Sequence, residues 1–206
     1  PVGTPEPGPE NAGSDSTTPG ESVSLKTMGI ACALVSALIA ATSALGRLVD
    51  NALLASYHPR FIPMAPLTAI TMLLLVAALL CALRTRLNMS ARLGIFLPAL
   101  MVTLLGLRVL ENFMQGSTGW IEEVLAPNAG TFGTVPVGRM SPLTATGLLL
   151  ISAALMLRLK TGAFWRNLGG VASCCCIMLA TVILLGYMYD APLLYGGEII
   201  PIALTT

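Results

Sequence analysis

The sequence predicts an all-α protein: a polytopic transmembrane helical bundle of three tandem hairpins, with five complete spans and a truncated sixth. Two observations predict it. The composition is 55% hydrophobic and only 10% charged, against about 25% charged residues in soluble domains. In addition, one phrase recurs. Ala65-Pro66-Leu67-Thr68-Ala69 opens one long apolar run, Ser141-Pro142-Leu143-Thr144-Ala145 opens another, and Ile202-Ala203-Leu204-Thr205-Thr206 begins a third. A phrase repeated at such intervals marks one supersecondary unit used several times.

Taken in order, residues 1–26 form a Pro/Gly/Ser/Glu-rich tail with little to bury, expected to be disordered. Residues 27–206 form the membrane module. Its apolar runs are 27–48, 65–83, 93–110, 140–157 and 168–188, followed by a start at 199–206. Runs near 20 apolar residues match the hydrocarbon thickness of a bilayer. They are expected to be helices, because open strands would leave backbone groups unpaired in lipid. The chain begins without Met and its last run stops short, so it reads as a fragment of a longer protein.

Short connections set the orientation. Arg84, Arg86 and Arg92 lie between the second and third runs, and Arg158, Lys160 and Arg166 between the fourth and fifth, with no acid in either place. Basic connections face the cytoplasm. The other connections carry Asp50, Glu111, Glu122, Glu123, Asp190 and Glu198 and are expected outside, with Arg60 and Arg139 as their cations. The N-terminus is then cytoplasmic, as is whatever follows Thr206. Trp120, Tyr187, Tyr189 and Tyr195 fall near the outer boundary and Trp165 near the inner one, where amphipathic rings anchor.

The repeated phrase has a local physical reason. Pro66 and Pro142 suit the first helical position, where a missing N–H costs nothing. Ser141 is a candidate N-cap, and Thr68, Thr144 and Thr205 are placed to bond first-turn backbone. Each outgoing helix also ends in Leu-Gly followed by an acid: Leu45-Gly46 then Asp50, Leu105-Gly106 then Glu111, Leu185-Gly186 then Asp190. Arg47 and Asp50, like Arg108 and Glu111, are three residues apart and share a helix face. Arg47, Asp50, Arg108, Glu111 and Asp190 are therefore the candidate sensing residues. They either line a polar site open to the outside or snorkel to the interface as paired charges. Pro98 is expected to kink the third span.

No catalytic constellation is present. His58 is the single histidine and stands in a loop before Pro59. The five cysteines lie in apolar runs, and the consecutive Cys174, Cys175 and Cys176 point about 100° apart on a helix, so they do not converge on one metal. They read as packing residues. The sequence calls for no metal, no cofactor and no nucleic acid; its partner is the lipid bilayer.

Met140-Ser141-Pro142-Leu143-Thr144-Ala145, Leu185-Gly186-Tyr187, Ala191-Pro192-Leu193-Leu194-Tyr195-Gly196 and Ile200-Pro201-Ile202-Ala203-Leu204-Thr205 together resemble the N-terminal multi-helix membrane module of bacterial sensor proteins. That module precedes PAS domains, histidine kinase cores or GGDEF-type diguanylate cyclase domains. The resemblance covers roughly residues 27–206 as a pattern and is most specific over 185–206. It implies a sensory input module in the bacterial inner membrane, a homodimer, and a cytoplasmic output domain downstream in the same chain. The fragment itself is then no enzyme. The outer connection from Asn112 to Arg139 is roughly 30 residues, short of an ordinary folded domain of about 50 or more, so sensing would fall within the bundle or at its rim. The rival reading is a small multi-pass transporter or channel, since many transporters are built from helical repeats.

Overall fold

The computed structural model describes residues 19–49, 63–83, 88–117, 119–127, 131–132, 135–136 and 138–189. These build six helices: α1 (Pro19–Leu48), α2 (Pro66–Ala82), α3 (Met89–Met114), α4 (Trp120–Leu125), α5 (Pro142–Leu157) and α6 (Ala163–Met188). Among the described residues, a minimal antiparallel pairing joins β1 (Thr131–Phe132) to β2 (Val135–Pro136). Its register leaves two residues between the strands, the length of a tight hairpin.

Neighbouring long helices run antiparallel. A methyl group on Gly29 would touch Leu83, tying the start of α1 to the end of α2. Gly94 lies against Cys81 where α2 meets α3, and Gly106 against Leu149 and the Ala145 carbonyl where α3 meets α5. Cys176 Sγ approaches the Gly147 carbonyl at 3.8 Å between α5 and α6. The order of contact is therefore α1, α2, α3, α5, α6, with α2 also touching α5 and α4 closing on α2. One end of the bundle, hereafter the proline end, holds the starts of α2 and α5 and the finishes of α1 and α3.

Packing is inverted relative to a water-soluble domain. Small side chains occupy the seams: Ala33, Ala40 and Ser43 on α1, Ala78 and Ala82 on α2, Ala99 and Gly106 on α3, Ala145 and Ser152 on α5. On α3 the buried positions Ala91, Ile95, Ala99, Val102, Gly106 and Val109 step by three or four residues along one face. Large side chains point away, among them Leu38 on α1, Leu97, Met101, Leu104 and Leu107 on α3, and Val171, Met178 and Leu184 on α6. In water such a surface is an association hazard. In lipid it is ordinary, because tails are as apolar as leucine and helices associate through close contact of small residues.

Among the described residues, three helices are long and apolar enough to cross a membrane: Lys26–Arg47 within α1, Met89–Met114, and Ala163–Gly186 within α6. The runs expected as complete spans at 65–83 and 140–157 are shorter helices, of 17 and 16 residues. At 1.5 Å per residue each covers only about 25 Å, below the ~30 Å hydrocarbon core. Each is preceded by buried non-helical residues, Met64-Ala65 before α2 and Met140-Ser141 before α5, with Ala65 and Ser141 extended. Non-helical backbone at such depth is tolerated where protein covers it. The sixth run, 199–206, lies outside the described residues.

Several expectations are corrected. The tail does not remain disordered to residue 26, because α1 begins at Pro19. Once the apolar run has nucleated the helix, adding polar residues at its end costs no new nucleus. Helix α3 continues through Pro98 to Met114, four residues beyond the expected span end, and α6 starts at Ala163, five before it. Ser141 holds the N-cap position of α5, yet its side chain makes no capping bond and its buried Oγ has no hydrogen-bond partner among the described residues. Thr68 and Thr144 are buried in the helix contacts. The hydroxyls bonded to first-turn carbonyls are those of Thr71, which donates to Leu67 or Thr68 O at 2.9 Å, and Thr146, which donates to Pro142 O at 2.8 Å. The phrase thus starts a helix through proline at N1, while its threonine packs.

One hydroxyl pair joins two helices. Thr103 Oγ1 lies 3.0 Å from Ser152 Oγ, with the Ala99 carbonyl 2.8 Å from Thr103 and the Leu149 carbonyl 2.9 Å from Ser152. Two hydroxyl protons serve three contacts, so with Thr103 donating to Ala99, Ser152 donates either to Thr103 or to Leu149. Interhelical hydroxyl bonds in bilayers average about 0.6 kcal/mol and reach about 1.7. Thr103→Val is therefore expected to lower stability by about that average, and Thr103→Val with Ser152→Ala to cost no more than the sum of the singles. A double-mutant cycle on unfolding in bilayer mimetics measures the coupling.

Candidate functional site

Charge is divided between the two ends. Between Lys26 and Tyr189 the described acids are Glu111, Glu122 and Glu123, all at the proline end, together with Arg47, Arg108 and Arg139. The opposite end carries Lys26, Arg92, Arg158, Lys160 and Arg166. No Asp, Glu, Lys, Arg or His occurs within 27–46, 66–83, 93–107, 140–157 or 167–188.

Arg108 and Glu111 pair as expected, Nη1 to Oε2 at 2.9 Å, but both side chains are largely in the open. An exposed i,i+3 pair is worth roughly 0–1 kcal/mol. Arg108→Ala is accordingly expected to change the stability of the bundle by less than about 0.5 kcal/mol, readable as an unchanged thermal midpoint in detergent. Arg47 is half-buried in the last turn of α1, and its Nε has no hydrogen-bond partner among the described residues. Asp50, Asp190 and Thr205 lie outside those residues, as do His58 and Tyr195.

The acid that matters most is one the sequence places only among the acids of the outer connections. Glu122, in the first turn of the short helix α4, is only 9% exposed. Its Oε1 accepts a hydrogen bond from the backbone N–H of Met140 at 2.8 Å. Met140 is itself buried, directly ahead of the Ser141-Pro142 start of α5. The carboxyl thus fastens α4 to the beginning of α5. Burial raises its pKa above the ordinary value, and the Met140 N–H and the positive charge of Arg139 act in the opposite direction.

Beside this contact lies a cleft of about 300 Å³. Its apolar lining, hereafter the floor, comes from Leu67 of α2, Leu105 and Val109 of α3, and Ile121 of α4. The remaining lining, hereafter the rim, comes from Arg108 and Asn112 of α3, and Gly119, Trp120 and Glu122 of the α4 region. A side chain at Gly119 would collide with the Asn112 amide, whose Nδ2 lies only 2.5 Å from where a β-carbon would stand. Glycine there lets Asn112 lie against the backbone. Three elements thus meet at one small hollow with an amide, a carboxyl and a guanidinium at its edge. Of the five candidate residues, Arg108 reaches the cleft, Glu111 stands behind it as the partner of Arg108, and Arg47 is not among its lining residues.

Trp120 is largely exposed at the proline end. Trp165 and Phe164 pack edge to face at the opposite end, with centroids 5.3 Å apart. Cys81 and Cys176 sit between helices, whereas Cys32, Cys174 and Cys175 face outward. Among the described residues, no three His, Cys, Asp or Glu side chains gather as metal ligands would. Comparison with protein-family models, with curated proteins and with solved structures returns no match.

Proposed function

We propose that this chain is the membrane-embedded input module of a bacterial signal-transduction protein. It crosses the inner membrane five times, begins a sixth crossing at 199–206, and passes its signal through that last helix to a cytoplasmic output domain, foremost a histidine kinase. In this reading the proline end faces outward and the arginine-rich end faces the cytoplasm, following the bias of basic connections. The observation that carries it is the separation of charge from the helix interiors. Ionisable groups gather around a rim cleft at one end, and the membrane-depth segments contain none. Such a layout suits detection at the rim and relay by helix movement. A stimulus that fits one helix arrangement better than another shifts their populations.

The hairpin repeat also suits a transporter. Pathways for ions and polar substrates, however, carry ionisable residues or broken helices at mid-membrane. Here the mid-depth polar groups of α3 and α5 are hydroxyls occupied by helix carbonyls or by one another. The test is the coding sequence beyond Thr206 together with the activity of the full-length protein in liposomes. An output domain whose activity changes when α1 to α5 are deleted supports the input role. A stop codon soon after the sixth span, or output indifferent to that deletion, overturns it, and solute uptake by the liposomes supports the transporter reading.

A further inference from the structure

The chemistry of the rim cleft narrows what it could take. At about 300 Å³ it stands at the small end of ligand pockets. The floor offers only Leu67, Leu105, Val109 and Ile121 to a ligand's body. The ionisable groups of the cleft already have partners within the protein. Arg108 is held by Glu111 at 2.9 Å, and Glu122 stands in the field of Arg139 with one oxygen bonded to Met140. A charged ligand would therefore bring an unpaired charge into a half-enclosed apolar hollow, which is costly. Asn112, by contrast, brings a neutral amide to the lining, a group that can both donate and accept.

We propose that this cleft binds a small, neutral amphipathic molecule: an apolar or aromatic body on the leucine and valine floor, with one hydroxyl or carbonyl bonded to Asn112. Because α2, α3 and α4 each supply part of the wall, an occupant draws the three together, and the Glu122–Met140 contact carries the displacement to the start of α5. The identity of the stimulus rests on the input-module reading, whereas the binding itself does not.

The test uses the whole chain in nanodiscs and radiolabelled 1-naphthol as the neutral probe, with 1-naphthoate and 1-naphthylmethylammonium as anionic and cationic counterparts. Binding is measured by equilibrium dialysis with empty nanodiscs subtracted. The expected result is saturable binding of 1-naphthol, with both charged analogues at least about tenfold weaker. Asn112→Leu removes one hydrogen bond and is expected to weaken binding by about three- to tenfold. Leu105→Trp fills the floor and is expected to abolish it, and helix content by circular dichroism establishes that each variant is folded.

No saturable binding above empty nanodiscs, tighter binding of either ion, or an Asn112→Leu protein that binds like the parent overturns the proposal. Binding that follows these expectations while the full-length protein's output ignores the probe leaves the cleft assignment standing and counts against the sensory reading alone.

Discussion

Glu122→Ala is expected to loosen the proline end of the bundle more than any other single charge substitution. The change leaves the buried Met140 N–H without its acceptor, and an unsatisfied buried donor costs about 1–3 kcal/mol. Glu122→Gln retains a carbonyl oxygen at the same reach and is expected to stay within about 1 kcal/mol of the parent. The two variants separate through pH. Because burial raises the folded pKa above the ordinary 4.5, the folded state holds its proton more tightly than the unfolded chain. This group's stabilising contribution is therefore fully present below about pH 4.5 and is lost as pH rises through the raised value. Glutamine has no proton to lose. The parent's thermal midpoint is thus expected to fall across that interval relative to Glu122→Gln, and the difference to vanish at the acid end. Parallel pH profiles for the two proteins would show that the carboxyl is not the group responsible.

Gly106→Val is expected to have the second large effect, and through a different cause. Helices α3 and α5 cross where a β-carbon on Gly106 would lie 3.0 Å from Leu149 Cγ and 3.6 Å from the Ala145 carbonyl. The leucine can turn, but the backbone oxygen cannot, so each added methyl presses the helices apart. Overpacking of this kind typically costs about 1–3 kcal/mol. In lipid the loss is not offset by hydrophobic collapse, because close contact of small residues is what holds the helices together. Gly106→Ala is expected to be mild, since Leu149 can yield, and Gly106→Val severe. Disulfide trapping between cysteines placed on facing turns of α3 and α5, in a background without the native cysteines, reads the separation directly. Cross-linking as fast in Gly106→Val as in the parent would contradict the packing account.

Much of the fold was legible because lipid simplifies the problem. A helix in a bilayer is apolar on every side, so its presence is read from run length, and each of the five apolar runs coincides with a helix. The repeat also carried through: Pro66 and Pro142 both occupy the first helical position. The lengths of α2 and α5 were less legible, because Met64-Ala65 and Met140-Ser141 are as apolar as the helices they precede. Those residues are buried but not helical. The alignment contained the signal, since Met precedes Ala-Pro-Leu-Thr at 64 and Ser-Pro-Leu-Thr at 140. The repeated unit is one residue longer than the phrase alone suggests.

The site was legible only in part. Arg108 and Glu111 were found by helical spacing, which places residues on a common face but does not say whether that face is covered. Glu122 was read as one of several outer-loop acids. Its burial goes with a six-residue helix packed against α2 and with a hydrogen bond to Met140, 18 residues away in sequence. No periodicity reports such a contact. The nearest cue was Trp120-Ile121-Glu122-Glu123-Val124-Leu125, an amphipathic fragment opening on glycine inside an otherwise polar connection.

Side-specific labelling tests the transmembrane arrangement most directly. In a cysteine-free background, Ser117→Cys marks the proline end and Lys160→Cys the basic end, both at exposed positions. A membrane-impermeant maleimide applied to intact cells is expected to label Ser117→Cys at once and Lys160→Cys only after permeabilisation. Labelling of both from outside, or of Lys160→Cys alone, would contradict a bundle that spans the membrane with its cleft facing out.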